Sequence, residues 1–593
     1  MSIINPTEKV RNIGVVAHVD HGKTTLVGSL LKLMSADIDQ MAMDSNSMEA
    51  SRGITILAKI TSITWQDYLI NILDTPGHAD FGGEVERSLF VVDGVILLVD
   101  AREGIKQQTE FVIRKTIQHK LPIICVINKV DRPDAKIEEV ELQVMIYLSE
   151  IDPNLEVKFL YASGREGWVS REACKKTDNM NALLEEIIDK FPAPMSRFED
   201  NETRFSVRIL DHDQHLGKIV AGRIESGSIY EGQNLFIAGT NANAKVVKKI
   251  MKKRQIQYYN INKAQAGDLV SLAGFPDATV GDTLVANINI PPMEIPQIDL
   301  PTIFIRISAN SSPLSGNEGK QITFQIIQDR LQKAANLDPA LSLSIDRDAA
   351  IVGGRGIMHL GVLLENMRKE GFEMTIYPPE VNRKGNTEPW EKLHLEFHSN
   401  HLPIVMKKLI NRNAEILSTD TDKDLAILEA RVATRNILGY ESEFGTDTKG
   451  SGTWEQSFDS YGPISDSTNS YENGTLISMA TGEANSYALN DLESRGKLYI
   501  KPGTKVYPGM IIGECNKEQD IEANPTKAKK VTNIRASGKD DAIKLIPVKD
   551  LTVEDALLLI AGKADQCIEL TPISIRLRMK ILDSSARKKQ SRS

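Results

Sequence analysis

Cysteine is scarce in this chain, with four residues in 593: Cys125, Cys174, Cys515 and Cys567. They lie far apart and form no Cys-x-x-Cys pair, which excludes a zinc cluster and a disulfide framework and reads as a chain kept in a reducing cytosol. Long apolar runs are also missing. The most apolar stretch, Ser88 to Ala101, is interrupted by Asp93, Gly94 and Asp100 and falls short of the ~20 residues that span a bilayer. Only about a dozen polar and mixed residues precede the first strand-like run, with no signal h-region and no Arg-rich transit composition. The expected setting is cytoplasmic, with no membrane contact. An excess of positive charge is absent too: 71 basic residues against 80 acidic give a net charge of −9. Any nucleic-acid partner must therefore be met by local basic patches rather than by the whole molecule.

What remains is ordinary globular usage, 41% apolar, 25% charged and 5% aromatic, which argues against disordered, collagen-like or fibrous classes. At roughly 150 residues per domain, the length suggests about four domains or more.

Short apolar runs at Ile13–Ala17, Tyr68–Leu73, Val95–Val99, Ile123–Ile127 and Lys158–Ala162 alternate with helix-like stretches, the pattern of a parallel sheet covered on both faces. Thr25–Met34 has the helical period, with Leu26, Leu30, Leu33 and Met34 on one face. The α/β region ends near the proline-rich Phe191–Pro194. From Arg204 to Ile290 the chain reads as strands and turns, for example Lys218–Ile224 and Ser228–Tyr230, and predicts a small β-barrel. Beyond Pro291–Pro301, Ile303–Ile307 with helix-like Gln321–Lys333 and Leu360–Met367 predicts a compact α+β unit. Leu393–Phe397, helix-like Pro403–Ile410 and Leu425–Val432 predict a second. The remainder, from about Thr475, is Gly-rich and strand-like.

Four motifs carry chemistry. Ala17-His-Val-Asp-His-Gly22-Lys23-Thr24 stands where a strand hands over to a helix and has P-loop spacing, with Ala17 in place of the first Gly. Backbone N–H groups over Asp20–Thr25 can close round phosphate oxygens, Lys23 neutralises terminal phosphates, and the Thr24 hydroxyl can ligate Mg²⁺. Asn128-Lys129-Val130-Asp131 follows the buried run Ile123–Ile127, at the strand end where open α/β sheets bind ligands. An Asp131 carboxylate can accept both N–H groups of one guanine edge, whereas adenine has no such donor pair. Between them Asp74-Thr-Pro-Gly77-His78 ends the run Tyr68–Leu73, so that Asp74 can reach the Mg²⁺ shell through water and Gly77 can offer an amide to a γ-phosphate. In Arg52-Gly-Ile54-Thr55-Ile56 the Thr55 hydroxyl is the natural second side-chain metal ligand. In this order the four motifs predict a GTP/GDP-binding switch domain with Mg²⁺.

Taken together, Ala17–Thr25, Arg52–Ile56, Asp74–His78 and Asn128–Asp131 resemble the G domain of translational GTPases. The resemblance implies that His78 is catalytic and positions the attacking water, that Val19 and Ile54 gate it, and that Tyr161-Ala-Ser163 backs the guanine. Further along, Gly354–Leu360 running into Glu365–Phe372, Asp491–Leu498, Pro502–Tyr507 and Lys530–Asp541 resemble the BipA/TypA family specifically. The implied architecture is a P-loop G domain (1–198), a translation-factor β-barrel (199–292), two ferredoxin-like α+β domains (301–380 and 388–474) and a family-specific, mostly β C-terminal domain (475–593). The two α+β units follow one another across Pro378–Pro389, leaving no room for the long inserted domain of elongation factor G. Departures from the family pattern are Ser51 where an acid is common, Gly164 for Ala, Ile357 for Glu, and Glu441 for Arg. None removes a catalytic group.

The family resemblance implies a ribosome-dependent GTPase that docks in the intersubunit space and against the large subunit, with roles in large-subunit assembly and translation under stress, and a monomer away from the ribosome. Lys527–Lys549 contains seven basic residues against two acidic, net +5, and the segment from Arg576 to Arg592 seven against one, net +6. Such clusters are a phosphate-binding footprint. Lys527, Lys529, Lys530, Arg535 and Lys539 are the expected rRNA contacts, in a loop that the resemblance extends toward A-site tRNA. Two rival readings are an RNA-binding assembly chaperone that uses GTP only as an affinity switch, and a translocation factor like LepA or elongation factor G.

Overall fold

The computed structural model of the chain describes residues 8–32, 59–76, 82–173, 175–213, 215–240, 243–254, 257–293, 301–422, 424–465, 473–528, 545–548 and 550–590. Ile54, Thr55, His78, Lys529, Lys530, Arg535, Lys539 and Cys174 lie outside the described residues. The chain divides into two units, Met1–Asp299 with Asn336–Ala340, and Leu300–Ala335 with Leu341–Ser593.

In the first unit seven strands make one sheet: β1 (Val10–Ala17), β2 (Lys59–Trp65), β3 (Tyr68–Asp74), β4 (Gly94–Asp100), β5 (Ile123–Asn128), β6 (Lys158–Ser163) and β7 (Trp168–Ser170), in the order 2-3-1-4-5-6-7. The five inner strands are parallel, and β2 and β7 close the edges antiparallel. Five described helices accompany it: α1 (Lys23–Lys32), α2 (Gly82–Leu89), α3 (Gln107–Gln118), α4 (Ile137–Ile151) and α5 (Asn181–Lys190). Alternation along each strand feeds two cores. Ile13, Val15, Ile96, Leu98, Ile124 and Val126 pack with Leu26 and Leu30 of α1 and Leu183 and Ile187 of α5. Their neighbours Val16, Leu97, Val99, Cys125 and Ile127 pack on the other face with Val85, Val112, Val140 and Val144 of α2 to α4. A strand buried on both faces must be apolar at every position, which is why these strands stand out in the sequence as continuous runs. Full burial of each such side chain is worth about 1.5–3 kcal/mol, so α1 is held firmly by Leu26, Leu30 and Leu31, all at 0% exposure.

Residues Arg204–Val285 of the same unit form the antiparallel β-barrel module. Its strands run in the order Lys245–Val246, Asn234–Ile237, Thr283–Val285, Arg204–Asp213, Gly217–Ser226, Leu269–Ala273, Lys249–Arg254, Gln257–Ile261. Phe205, Val220, Leu235, Leu272 and Phe275 fill its core.

The second unit contains two copies of one β-α-β-β-α-β arrangement. In the first, strands Ile303–Ala309, Ser342–Asp346, Ala349–Gly354 and Met374–Ile376 take the order 2-3-1-4, with helix Phe324–Leu337, whose last two residues are counted with the first unit, and helix Ile357–Lys369. In the second, Thr387–His398, Glu415–Asp422, Leu425–Ala433 and Thr453–Pro463 take the same order, with helix Leu402–Asn411 and the short helices Thr434–Ile437 and Tyr440–Asp447. This is the split βαβ order of ferredoxin-like units. Segments 301–380 and 475–593 contribute to one continuous sheet, because Met374–Ile376 pairs antiparallel with Gln566–Leu570. The joint is polar as well as apolar. Glu569, at 0% exposure, accepts hydrogen bonds from Ser312 (2.6 Å), Tyr507 (2.6 Å), Arg576 (3.0 Å) and Asn310 (3.2 Å).

Candidate nucleotide site

The P-loop is built on the turn from β1 into α1. Asp20 and Gly22 take left-handed φ values of 64° and 90°, turning the backbone so that Leu26 N–H bonds Gly22 O at 2.9 Å and starts the helix. Helical structure therefore begins at Lys23, two residues before the predicted Thr25, because the first turn is nucleated by the loop itself. A side chain at Gly22 would be strained by its φ, and its Cβ would stand 2.6 Å from Asn128 Nδ2. That close approach comes with two bonds: Asn128 Nδ2 donates to His21 O at 2.8 Å, and Asn128 Oδ1 accepts from Gly164 N–H at 2.9 Å. One side chain thus ties the phosphate loop to the loop after β6. Ser29 of α1 adds a bond to Gly164 O at 2.7 Å, while a methyl at Gly164 would meet Asn128 Oδ1 and Leu26 N at 3.4 Å.

Lys23 Nζ lies 3.1 Å from Asp74 Oδ1, with the two side chains 7% and 6% exposed. The expected phosphate-binding lysine and the expected metal-shell carboxylate are therefore brought together at the carboxyl ends of β1 and β3. Thr75 Oγ1 donates to Val15 O at 2.9 Å and fixes that strand end. Thr24 and Thr25 occupy the first turn of α1 and are half-buried. Val19 lies half-buried in the loop. A hydroxyl at Thr24 and a carboxylate at Asp74 are hard oxygen donors, and a site of so few protein ligands suits Mg²⁺, which keeps several waters and takes the rest from phosphates. Among the described residues there is no cluster of three or more His, Cys, Asp or Glu able to hold a metal alone.

His21 is turned inward. Its ring is at 0% exposure, with Nδ1 accepting from Asp100 N–H at 3.3 Å and Nε2 3.7 Å from Glu103. Burial, then the neighbouring His18, push its pKa down to about 3, so the imidazole is neutral. Its side chain is a strut of the loop, and what it offers Asn128 is its carbonyl.

Lys129 has φ 63° and pairs with buried Asp100 at 2.8 Å. Burial pushes the Asp100 carboxyl up, but the bonds from Lys129 and from the Arg102 and Glu103 amides outweigh it and hold the group below the usual carboxylate range. In the sequence Asp100 stands out only as a break in an apolar run. The usable signal was a carboxylate closing a strand at the ligand-binding edge of the sheet. Val130 N–H bonds Ala162 O at 3.2 Å, Asp131 is exposed beyond it, and Ser163, fully buried, accepts from Glu166 N–H at 3.2 Å. The described P-loop, Asp74 and Asn128 therefore stand together at the carboxyl end of one sheet, with Lys129 held there by Asp100.

Of the expected RNA contacts, Lys527 is described and exposed. The C-terminal basic cluster is not one surface. Arg576 and Arg578 are 6% and 3% exposed; Arg576 is paired with Glu569 at 3.0 Å and also with Glu318, and Arg578 Nη2 bonds Thr375 at 3.2 Å. Arg587 is committed to Glu522 at 2.8 Å. Glu441 opens the helix Tyr440–Asp447 with Glu443, where negative charge suits the helix dipole.

Four family models match the chain: Elongation factor Tu GTP binding domain over residues 8–193, Elongation factor Tu domain 2 over 217–285, Elongation factor G C-terminus over 386–470, and TypA/BipA C-terminal domain over 473–584. The large ribosomal subunit assembly factor BipA of Bacillus subtilis is 39% identical over 598 residues, covering 98% of this chain and 97% of that protein. Proteins of the same description from Salmonella typhimurium and Escherichia coli K12 are each 39% identical over 606 residues, covering 99% of both chains. A crystal structure of a Thermus thermophilus protein superposes with a TM-score of 0.54 at 15% identity, covering 77% of this chain and 97% of that one, and is similar in fold. Among the described residues no helix is long and apolar enough to cross a membrane.

Proposed function

Because the chain belongs to the TypA/BipA family of translational GTPases, we propose that it is a ribosome-stimulated GTPase acting in assembly of the large ribosomal subunit. The enzyme class is that of its GTP-binding domain. The ribosomal task rests on relatives that match from end to end and are themselves described as large ribosomal subunit assembly factors. The observation that carries the chemical reading is the Lys23–Asp74 pair at 3.1 Å beside a loop pinned by Asn128.

On this reading the nucleotide phosphates take over Lys23 from Asp74, and the N–H groups of Asp20–Thr25 close on them. Charge neutralisation at this point stabilises the phosphoryl transition state, and no covalent intermediate with the protein is required. Thr24, Thr55 and, through water, Asp74 would hold Mg²⁺, which when bound supplies Lewis-acid neutralisation of the phosphate oxygens. Asp131 reads the guanine edge, with Ser163 behind the base and Lys129 held in place by Asp100. His78 orients the water, and Val19 and Ile54 keep it from attacking until the ribosome is engaged. The exposed Lys527 and the basic residues Lys529, Lys530, Arg535 and Lys539 contact rRNA beside the A-site tRNA. The protein acts as a cytoplasmic monomer when off the ribosome.

The test is GTP turnover by the full chain alone, with ribosomes and with isolated large subunits. Ribosome-stimulated hydrolysis that His78→Ala abolishes supports the reading. If turnover is not stimulated while RNA binding still tracks the nucleotide state, the protein is an assembly chaperone that uses GTP as an affinity switch.

A further inference from the structure

Between the GTPase sheet and the barrel module of the first unit lies a cavity of about 230 Å³. One wall is β2, the end of β3 and the helix α2; the other is formed by barrel strands Arg204–Asp213, Gly217–Ser226 and Leu269–Ala273. Arg208 lines it and is 4% exposed. Its guanidinium lies 5.2 Å above the Phe90 ring, yet Nε and Nη1 have no hydrogen-bond partner among the described residues. A buried guanidinium with open N–H groups carries a desolvation cost, which among the described residues the Phe90 ring and the charge of Glu225 offset only in part.

The carboxylates around it are already engaged. Glu84 is in ion-pair reach of Arg87 at 3.9 Å. Asp211 accepts from Tyr258 at 3.3 Å. Asp338 has a partner of its own. Glu225, whose charge Arg208 feels, accepts from Ser206 at 2.6 Å on one oxygen, and its other oxygen, with no hydrogen-bond partner among the described residues, lies at ion-pair distance from Arg197 (3.5 Å) and Arg223 (3.6 Å). Burial, together with Arg197 and Arg87, outweighs Glu225 and pulls the Arg208 pKa down to about 10. Lys253, on the same cavity, is likewise held below the ordinary lysine range, by burial first and by Lys59 in addition, against Asp211.

We propose that this cavity binds one small organic anion, whose carboxylate or phosphoryl oxygens take the open donors of Arg208 and whose apolar body lies on Leu73 and Val270. The volume favours an organic group over a bare ion. At ~30 Å³ of liquid volume per water, the space corresponds to several waters, and its floor is apolar. The Nε and Nη1 positions offer three N–H groups, which suits a ligand with more than one acceptor oxygen, and a charge-assisted bond here is worth more than it would be in water. α2 is the next described element after Asp74–Pro76, so the proposal carries with it a coupling between this ligand and the nucleotide, which is reciprocal.

The test is calorimetric titration of the full chain, loaded with GDP, with phenyl phosphate and with benzoate, and with inorganic phosphate as the compact control. One saturable site for at least one organic anion is expected, tighter than for inorganic phosphate. Arg208→Met should weaken it by about tenfold or more, the scale of one lost charge-assisted contact, with GDP affinity within about twofold of the parent. Should that variant not fold, Arg208→Lys and Lys253→Met carry the comparison, each expected to weaken binding. The two probes separate carboxylate from phosphoryl recognition. Absence of saturable binding, or binding that survives loss of the guanidinium, would each overturn the proposal.

Discussion

The neutral, buried imidazole of His21 makes the phosphate loop acid-sensitive by an amount that the structure sets. Its pKa falls from 6.5 in the unfolded chain to about 3 in the fold, because desolvation and His18 both oppose the charged ring. A histidine whose folded pKa is depressed contributes its full share above pH 6.5. As pH falls through 6.5 the unfolded chain gains a proton that the native loop refuses, and the contribution is lost progressively down to about pH 3. Some 3.5 units at 1.36 kcal/mol per unit amount to about 5 kcal/mol over the whole window. Near pH 5.5 the loss is about 1.4 kcal/mol, a tenfold rise in the population of opened loop. Hydrogen exchange on peptides spanning residues 11–32 and 94–104, corrected for the intrinsic pH dependence of exchange, reads this directly. His21→Asn keeps an acceptor for Asp100 N–H and does not titrate, so its protection should be flat between pH 7.5 and 5.5 where the parent loses about tenfold. Parallel pH profiles in the two proteins would refute the reasoning.

Gly22→Ala forces a side chain into φ 90° and against Asn128 Nδ2. Strain of about 1–3 kcal/mol and the loss of one or both Asn128 bonds, about 1 kcal/mol each, predict GDP binding weaker by roughly 100-fold in equilibrium dialysis. Asp131→Asn removes the acceptor for guanine and offers donors instead, so competition binding should show GTP weakened by about 100-fold and xanthosine triphosphate strengthened. Glu569→Ala leaves Arg576 short of a partner and Tyr507, Ser312 and Asn310 without their shared acceptor. Calorimetry should show the transition of the second unit lowered by several degrees, from a loss of about 3–5 kcal/mol.

The sheet of the GTPase domain was legible because its inner strands are buried on both faces and three of the four motifs sit at a strand's carboxyl end. Strand β2, Lys-Ile-Thr-Ser-Ile-Thr-Trp, escaped because an edge strand carries few apolar residues, and here it follows a long polar stretch. Both ferredoxin-like units were legible as mixtures of strand and helix, but the sheet shared by Met374–Ile376 and Gln566–Leu570 was not. Nothing in either segment encodes a partner some 190 residues away; register of that kind is decided by packing and by Glu569. The C-terminal charge run misled for a local reason. In Ile575-Arg-Leu-Arg-Met579 the period of two marks a strand, and strand residues 576 and 578 share one face. That face here meets Glu569, Thr375 and Ser311 rather than solvent.

The barrel is fastened to the GTPase domain through groups that the nucleotide does not touch. Asn12 donates both to Asp93 at 2.9 Å and to the barrel carbonyl of Gly267 at 2.9 Å, and Arg223 of the barrel holds the other oxygen of Asp93 at 2.7 Å. Asn71 and Ser62 extend the same chain of bonds across β3 and β2 at 2.8 and 2.7 Å. These residues lie within the strands or before β4, away from the carboxyl ends where Lys23, Asp74 and Asn128 meet. A close-packed strand core has low compressibility and passes strain on, so this fastening is stiff. The element that joins the two places is α2, which starts beyond Asp74–Pro76 and lines the Arg208 cavity with Glu84, Arg87 and Ser88. Arg223 of the anchor also donates to Val91 O at 3.1 Å, just beyond α2 and on the cavity wall, so a movement of α2 that reshapes the cavity also bears on the anchor. It follows that a ligand bound at Arg208 should shift the preference for GTP over GDP, read as a change in the ratio of the two nucleotide affinities with and without the ligand.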